Sequence, residues 1–472
     1  MNLKKWLWLP SMRFFGIFKL TFLRHVGILS GVGVGGGSLV YANTLPKPKE
    51  AFFNTGSWKS LGDWSSDLAP HYIEAKRMLG VAKNPYLGES DEAMKKLANE
   101  IGRQDYFEPT DVAIYFGEPN KTVSDPYFNG KGPDRSGCTF CGACMTGCRF
   151  NAKNTLDKNY LHLAQHQDCK VQANSKVIDV KPIGDDGSGG YEILYKKTTN
   201  PLSRKKKVVA KGVVFSGGVL GTVKLLYKLK LSSLPNLSDW LGKDIRTNNE
   251  SLIGVPNLTK EADFTTGVAI GSIVHTDEHS HLEPVRYGRG SNFWRFLMLP
   301  LAKGNHFIAR VGSILTSFIK APIRHIRLMS MWNFSKKTPI LLFMQHLDST
   351  IQFKLGWFGL KSKLQTGPAP TANNRKAVDL AKAFARIVNG EPYVTPTESL
   401  LGIPTTAHIL GGAVMGDSKE TGVIDSENRV YGYQNMMVCD GSMISANPGV
   451  NPSLTITAIA EHAMSKIPDK KN

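Results

Sequence analysis

A chain of 472 residues with 41% hydrophobic content can bury a large core and divide into about two or three domains, which excludes a disordered or fibrous protein. Its six cysteines are too few for a disulfide-stapled secreted framework and point to a reducing, cytoplasmic compartment. The formal charge of +19 suits a polyanionic partner, but its arrangement argues against nucleic acid. Between Arg286 and Lys337 stand ten Lys or Arg and no Asp or Glu, interleaved with apolar stretches such as "FIARVGSILTSFIKAPIRHIRLMSMW". That mixture fits a peripheral membrane surface better than a groove that reads bases, and fits equally the solvated outside of core helices.

The opening "MNLKKWLWLPSMRFFGIFKLTFLRHVGILSG" starts like a signal peptide, but Pro10, Arg13, Lys19 and Arg24 interrupt any apolar region, so it is read as part of the folded chain. No apolar run reaches the roughly 18 residues of a spanning helix. "HVGILS" has the pattern of a strand. After it, Gly31, Gly33 and Gly36 satisfy G-x-G-x-x-G, yet Pro46 and Pro48 break any helix before three turns. A glycine loop is therefore expected there, not a dinucleotide fingerprint.

Residues 54–137 read as irregular, with helices around "DLAPHYIEAKRMLG" and "SDEAMKKLANEIGR". Cys138, Cys141, Cys144 and Cys148 then follow the C-x2-C-x2-C-x3-C spacing of a [4Fe–4S] site. In two-cluster ferredoxins the fourth cysteine serves the other cluster, and Arg149 stands where those proteins carry Pro. The spacing thus admits a [4Fe–4S] cluster, zinc or four unmetallated thiols.

"NTLDKNYLHLAQHQ" has helical spacing, and "CKVQANSKVIDVKPIG", "YEILYKK" and "KVVAKGVVFSGG" alternate as strands do. "SRKKK" at 203–207 reads as an exposed hairpin turn. "FSGGVLGTVKLLYKLKL" reads as strand, glycine loop and helix, the unit of a doubly wound sheet carrying a nucleotide. Strand-like pieces such as "GVAIGSIVHT" and "TIQFKLGWF" fill 256–400, consistent with a separate substrate domain. Near the end, Asn451 and Pro452 precede "SLTITAIAEHAM" as an N-cap and a first helical residue. A helix N-terminus there offers free N–H groups to negative charge.

Together "GVGGGSLVYAN", "GC…NAKNTL", "AHILGG" and "CDGS…GVNPSLTITAIAEH" resemble the glucose–methanol–choline (GMC) family of flavin oxidoreductases, in its cholesterol oxidase-like branch. The resemblance implies an α/β fold: a Rossmann-like FAD-binding domain, incomplete at the N-terminus, interwoven with an α+β substrate domain containing an antiparallel sheet. The expected pieces are 1–50, 138–255 and 401–472 for FAD, with 51–137 and 256–400 for substrate. The implied reaction oxidises the CH–OH group of a sterol or other bulky lipophilic alcohol to a carbonyl by hydride transfer to FAD, with O2 or another electron acceptor.

By the same resemblance His408 is the active-site histidine and Asn451 its partner, while Glu283 matches loosely a carboxylate over the sterol ring and reads more simply as a solvated loop acid. If Asn451 also served the substrate, Ser453 or another group would have to relieve it of capping. Gly36, Gly37, Ser38 and Asn43 match the loop along the flavin, Asp440 and Gly441 the turn near the ribityl chain, Val177 an adenine contact, and Asn451 and Pro452 the helix start at the ring. Family chains usually begin with a strand, a fingerprint loop and a helix that this sequence lacks, so weak or absent FAD binding is expected. An iron–sulfur electron carrier and a lipid-surface binding protein without catalysis remain open alternatives.

Overall fold

The computed structural model describes residues 3–468, apart from 201, 259–260, 305, 348, 358 and 373. Near the N-terminus strand Phe18–Phe22 pairs antiparallel with strand Gly27–Gly31, which pairs in parallel with Thr405–Thr406. Trp6 is buried and stacks on Phe18, so the basic opening segment is folded against the body of the protein. The glycine run leaves strand Gly27–Gly31 and passes into a single 3-10 turn, Gly36–Leu39. It opens no α-helix, as the two prolines predict.

The expected strand–glycine–helix unit is present: strand Val213–Phe215 passes through Gly217 into helix Gly218–Lys230. That strand pairs in parallel with Met436–Val438. Beside it lies an antiparallel sheet of Ser175–Pro182, Tyr191–Lys197 and Lys206–Ala210. The "SRKKK" run lies at this sheet's second turn, its last two lysines already in the strand.

One core cluster joins Val26 and Ile28, Trp58 and Tyr72, Val219 and Leu226, Ile351 and Phe353, and Leu410 through Ile459. Chain segments far apart in sequence therefore share one interior, and burial of their apolar side chains supplies most of the drive that brings them together.

A second unit is a seven-stranded sheet among the described residues, ordered Leu299–Pro300, Tyr393–Val394, Ser251–Gly254, Ile340–Gln345, Ser280–Val285, Ser272–His275 and Phe107–Pro109. Every pairing in it is antiparallel. Helices Glu89–Glu100 and Arg375–Ile387 cover one face through Met94, Leu97, Leu380 and Phe384. Strand Ser280–Val285 is buried at all six positions because it lies between two neighbours and under cover on both faces. Among the described residues no helix is long and apolar enough to cross a membrane.

Candidate active site

His408 is placed by pairing on both sides of its segment. Thr405 and Thr406 pair with Gly27 and Ile28, and Leu410 exchanges backbone hydrogen bonds with Arg246 at 2.8 and 3.0 Å. Continuing that antiparallel register sets Glu250 against Thr406. Thr406 Oγ1 donates to Glu250 Oε1 at 2.9 Å and the Ala407 amide donates to Oε2 at 3.1 Å. His408 Nδ1 lies 2.5 Å from Glu250 Oε1, an ion-pair contact off the alignment of a regular hydrogen bond. The histidine side chain keeps 15% exposure and the glutamate 1%. Burial pulls the imidazole pKa down, but Glu250 and Glu283 more than offset it and hold it above the usual histidine value.

Glu283 corrects the sequence expectation of a solvated loop acid. It is fully buried in strand Ser280–Val285, where the alternation of a strand puts it on the same face as His281. His281 Nε2 lies 3.5 Å from Glu283 Oε1. The Asn451 amide donates to Glu283 Oε2 at 3.3 Å. His408, Glu283 and Asn451 thus converge, with Glu283 bonded to the carboxamide and its charge acting on the imidazole.

Asn451 is also not the helix cap. Helix Ser453–Ser465 takes Pro452 as its N-cap and has no side-chain capping hydrogen bond. The proline stands one position earlier than predicted because the backbone turns helical only after it. No relief by Ser453 is needed, and the Asn451 carboxamide is left for the site. Asn248, with φ of 54°, donates to the Val450 carbonyl at 2.8 Å. The turn that carries Glu250 thereby also holds the Asn451 loop.

The loop from Gly35 to Tyr41 is bolted to the "NAKNTL" segment. Ser38 Oγ donates to Gly35 O at 2.7 Å and accepts from the Leu156 amide at 2.9 Å, and Tyr41 OH donates to Asn154 O at 2.6 Å. Lys153 is buried and its Nζ donates to the carbonyls of Leu39, Tyr41 and Cys144 at 3.2, 2.9 and 2.9 Å. Burial pushes the Lys153 pKa down to about 7, against the pull of Cys144 and Cys148. Lys153→Met strands those carbonyls and is expected to cost about 1–3 kcal/mol of stability, readable as a lower Tm.

Several features fit FAD. Asn43 has φ of 57°, and both polar atoms of its amide are buried without a partner. Asn451 Oδ1 and Glu283 Oε1 are likewise buried acceptors without hydrogen bonds. A Cβ at Gly36, Gly37 or Gly218 would meet nothing within 4 Å, so these turns border open space. The uncapped start of helix Ser453–Ser465 would face negative charge.

Other expected contacts are engaged differently. Asp440 accepts from the Gly218 amide at 2.9 Å, from Thr222 and from Ser442, so its carboxylate ties the glycine turn to the C-terminal segment. A Cβ on Gly441 would stand 3.4 Å from Val219 and 3.5 Å from Leu410, ordinary contact, so packing alone does not require glycine here. Val177 is 36% exposed, beside a bulge of strand Ser175–Pro182.

Of the readings the cysteine spacing left open, the metal sites find no support: among the described residues no three His, Cys, Asp or Glu side chains gather as ligands. Cys138 and Cys144 are buried with Val112, Ile114, Ala152 and Val268, and burial pushes their thiols up to about 12 and about 11. Cys141 sits in a bridge to Gly267, which ties its loop to the segment leading into strand Ser272–His275 of the seven-stranded sheet. Neither a [4Fe–4S] cluster nor zinc fits this donor set. Sequence reading missed Glu250, Asn248 and His281, because register set far along the chain brings them in.

Comparison with known proteins agrees with this geometry. The GMC oxidoreductase model matches residues 370–460. A cholesterol oxidase of Acinetobacter baumannii is 44% identical over 99% of this chain and 86% of that protein. One of Mycobacterium tuberculosis is 43% identical over 99% of this chain and 84% of its own. The crystal structure of pyridoxine 4-oxidase from "Mesorbium loti" aligns with a TM-score of 0.60 at 12% identity, over 95% of this chain and 87% of that one, and so shares the fold. The chain belongs to the GMC oxidoreductase family of flavin enzymes, in its cholesterol oxidase-like branch.

Proposed function

We propose that this chain oxidises the hydroxyl of a sterol, or of a similarly bulky lipophilic alcohol, to a carbonyl, with FAD as the immediate acceptor and O2 as the final one. The observation that carries the reading is the convergence of His408, Glu283 and Asn451, with Glu250 behind the imidazole. Similarity to the two cholesterol oxidases supports the sterol.

FAD, when bound, supplies the site that takes the hydride from the carbinol carbon. Asn43, Gly36, Gly37 and the start of helix Ser453–Ser465 are the groups that would hold it. An alcohol yields hydride readily only as its O–H proton leaves, so His408 accepts that proton. Glu250 orients the ring through Nδ1 and stabilises the cation that results. Asn451, held by Glu283, fixes the hydroxyl through its carboxamide, and the surrounding burial keeps water out.

The base must be neutral to act, so kcat/KM rises with pH through the His408 pKa. That pKa is held up in part by Glu250. Glu250→Gln removes one raising influence and is expected to move the acid limb of the profile to lower pH, with a smaller plateau rate. A limb that stays in place would show that another group titrates.

The test of the reading is turnover of a 3β-hydroxysteroid by FAD-supplemented protein, with ketosteroid formation and O2 uptake both followed. Flavin-saturated protein that oxidises no sterol would overturn it.

A further inference from the structure

Strand register lines up four titratable side chains between the active site and the surface. Ile273 pairs with Glu108 and His275 pairs with His281, so Glu108, His275, His281 and Glu283 all stand on one face of the seven-stranded sheet. The row starts on the edge strand Phe107–Pro109 and runs inward. Glu108 is 52% exposed and His275 24%, whereas His281 and Glu283 are 3 and 0% exposed. His275 Nε2 lies 4.0 Å from Glu108 Oε1, the two imidazole rings are 6.0 Å apart between centres, and His281 Nε2 reaches Glu283 at 3.5 Å.

The inner end of this row is unsatisfied. His281 Nε2 and Glu283 Oε1 face each other, both buried and both without a hydrogen bond among the described residues. A proton placed between them satisfies both atoms. Glu250, the other carboxylate beside His408, spends its oxygens on Thr406 and Ala407. At the outer end Glu108 pairs with Lys83 at 2.8 Å, and Arg103 donates to the His275 carbonyl at 2.9 Å. Burial, then His281, Lys49 and Arg103, pull the His275 pKa down to about 4 against the pull of Glu108. Such a ring is neutral at neutral pH, with one N–H and one bare nitrogen, so it accepts a proton on one side and releases one on the other.

We propose that Glu108, His275 and His281 form a proton route that connects Glu283 with solvent and discharges the active site after each alcohol is oxidised. The inference rests on the proposed alcohol oxidation. One proton moves along the route and no electrons do. The hydroxyl proton taken by His408 passes to Glu283, Glu283 Oε1 gives it to His281 Nε2, and the opposite nitrogen of His281 releases one toward His275 through a single water between the rings. His275 then hands a proton to Glu108 and solvent. The reverse passage supplies a proton when O2 is reduced to H2O2, and it resets both tautomers.

The experiment mixes the flavin-loaded full chain with a 3β-hydroxysteroid, without O2 and in weak buffer, while the flavin band and a pH-indicator dye are followed together. In wild type the proton is expected to reach the dye as fast as the flavin bleaches. In His275→Phe and His281→Gln dye protonation is expected to lag the bleaching of the same sample at least about tenfold. Added imidazole should remove the lag in His275→Ala, where it replaces a partly exposed ring, and not in His281→Gln. His279→Ala, an exposed histidine in the turn between the two strands, should show no lag. A lag in wild type, a dye signal that keeps pace in both His275→Phe and His281→Gln, or a lag in His275→Ala that imidazole leaves in place would overturn the route. Should loaded wild type not bleach at all, the alcohol reading fails and hydrogen exchange decides the route separately. Without substrate, deuterium should enter the His281 ring nitrogen at least about tenfold more slowly in His275→Phe than in wild type. Equal exchange rates would overturn it.

Discussion

Replacing His408 with alanine is expected to lower kcat for sterol oxidation by roughly 100- to 10,000-fold, the usual contribution of a positioned base. Glu250 keeps its bonds from Thr406 and Ala407 in the variant, so the carboxylate is not stranded and the fold should persist. His408→Asn separates two roles, since it restores a polar side chain beside Glu250 but cannot take up a proton. Both variants should retain wild-type flavin content, and Asn should recover little of the rate. Activity within tenfold of wild type in His408→Ala would move the proton to another group.

The second large effect concerns stability. Asp91 and Arg286 form a buried pair at 2.5 Å, with side chains 0 and 1% exposed. Asp91 also accepts from the Gly88 amide at 2.9 Å and from Ser272 Oγ at 2.8 Å, and Arg286 donates to Thr266 O at 2.9 Å. The pair thus locks the start of helix Glu89–Glu100 to the sheet and to the loop that meets Cys141. Asp91→Ala leaves a guanidinium without its counter-charge and is expected to cost about 3–5 kcal/mol. Lys121 and Glu118 form a pair at 2.9 Å with both side chains more than 60% exposed. Lys121→Ala should change stability by no more than about 1 kcal/mol, because water already screens that pair. Thermal or urea melts of the two variants side by side check both statements.

What the sequence made legible was local. The glycine turn before helix Gly218–Lys230, the strand alternation at 175–215 and the helix after Pro452 all follow from neighbouring residues, and the structure keeps them. His408 and Asn451 were found through motifs that travel with them. Glu250 was invisible because its place depends on the pairing of Arg246 with Leu410, far along the chain. Glu283 looked solvated because "HLEPVRYGRG" ends in turn residues, while its burial comes from strands on either side. The cysteine spacing left metal and unmetallated thiols both open for a related reason. Even spacing gathers thiols only if the loop curls around one centre, and here left-handed turns at Phe140, Gly142 and Gly147 send the segment between two cores instead.

The most direct test of the central claim is anaerobic mixing of flavin-loaded protein with a 3β-hydroxysteroid while the visible flavin band is followed. Wild type should bleach in a single exponential phase whose rate rises with pH through the His408 ionisation, and His408→Asn should bleach at least a hundredfold more slowly. Bleaching at equal rates in the two proteins, or none in fully loaded wild type, would contradict the account.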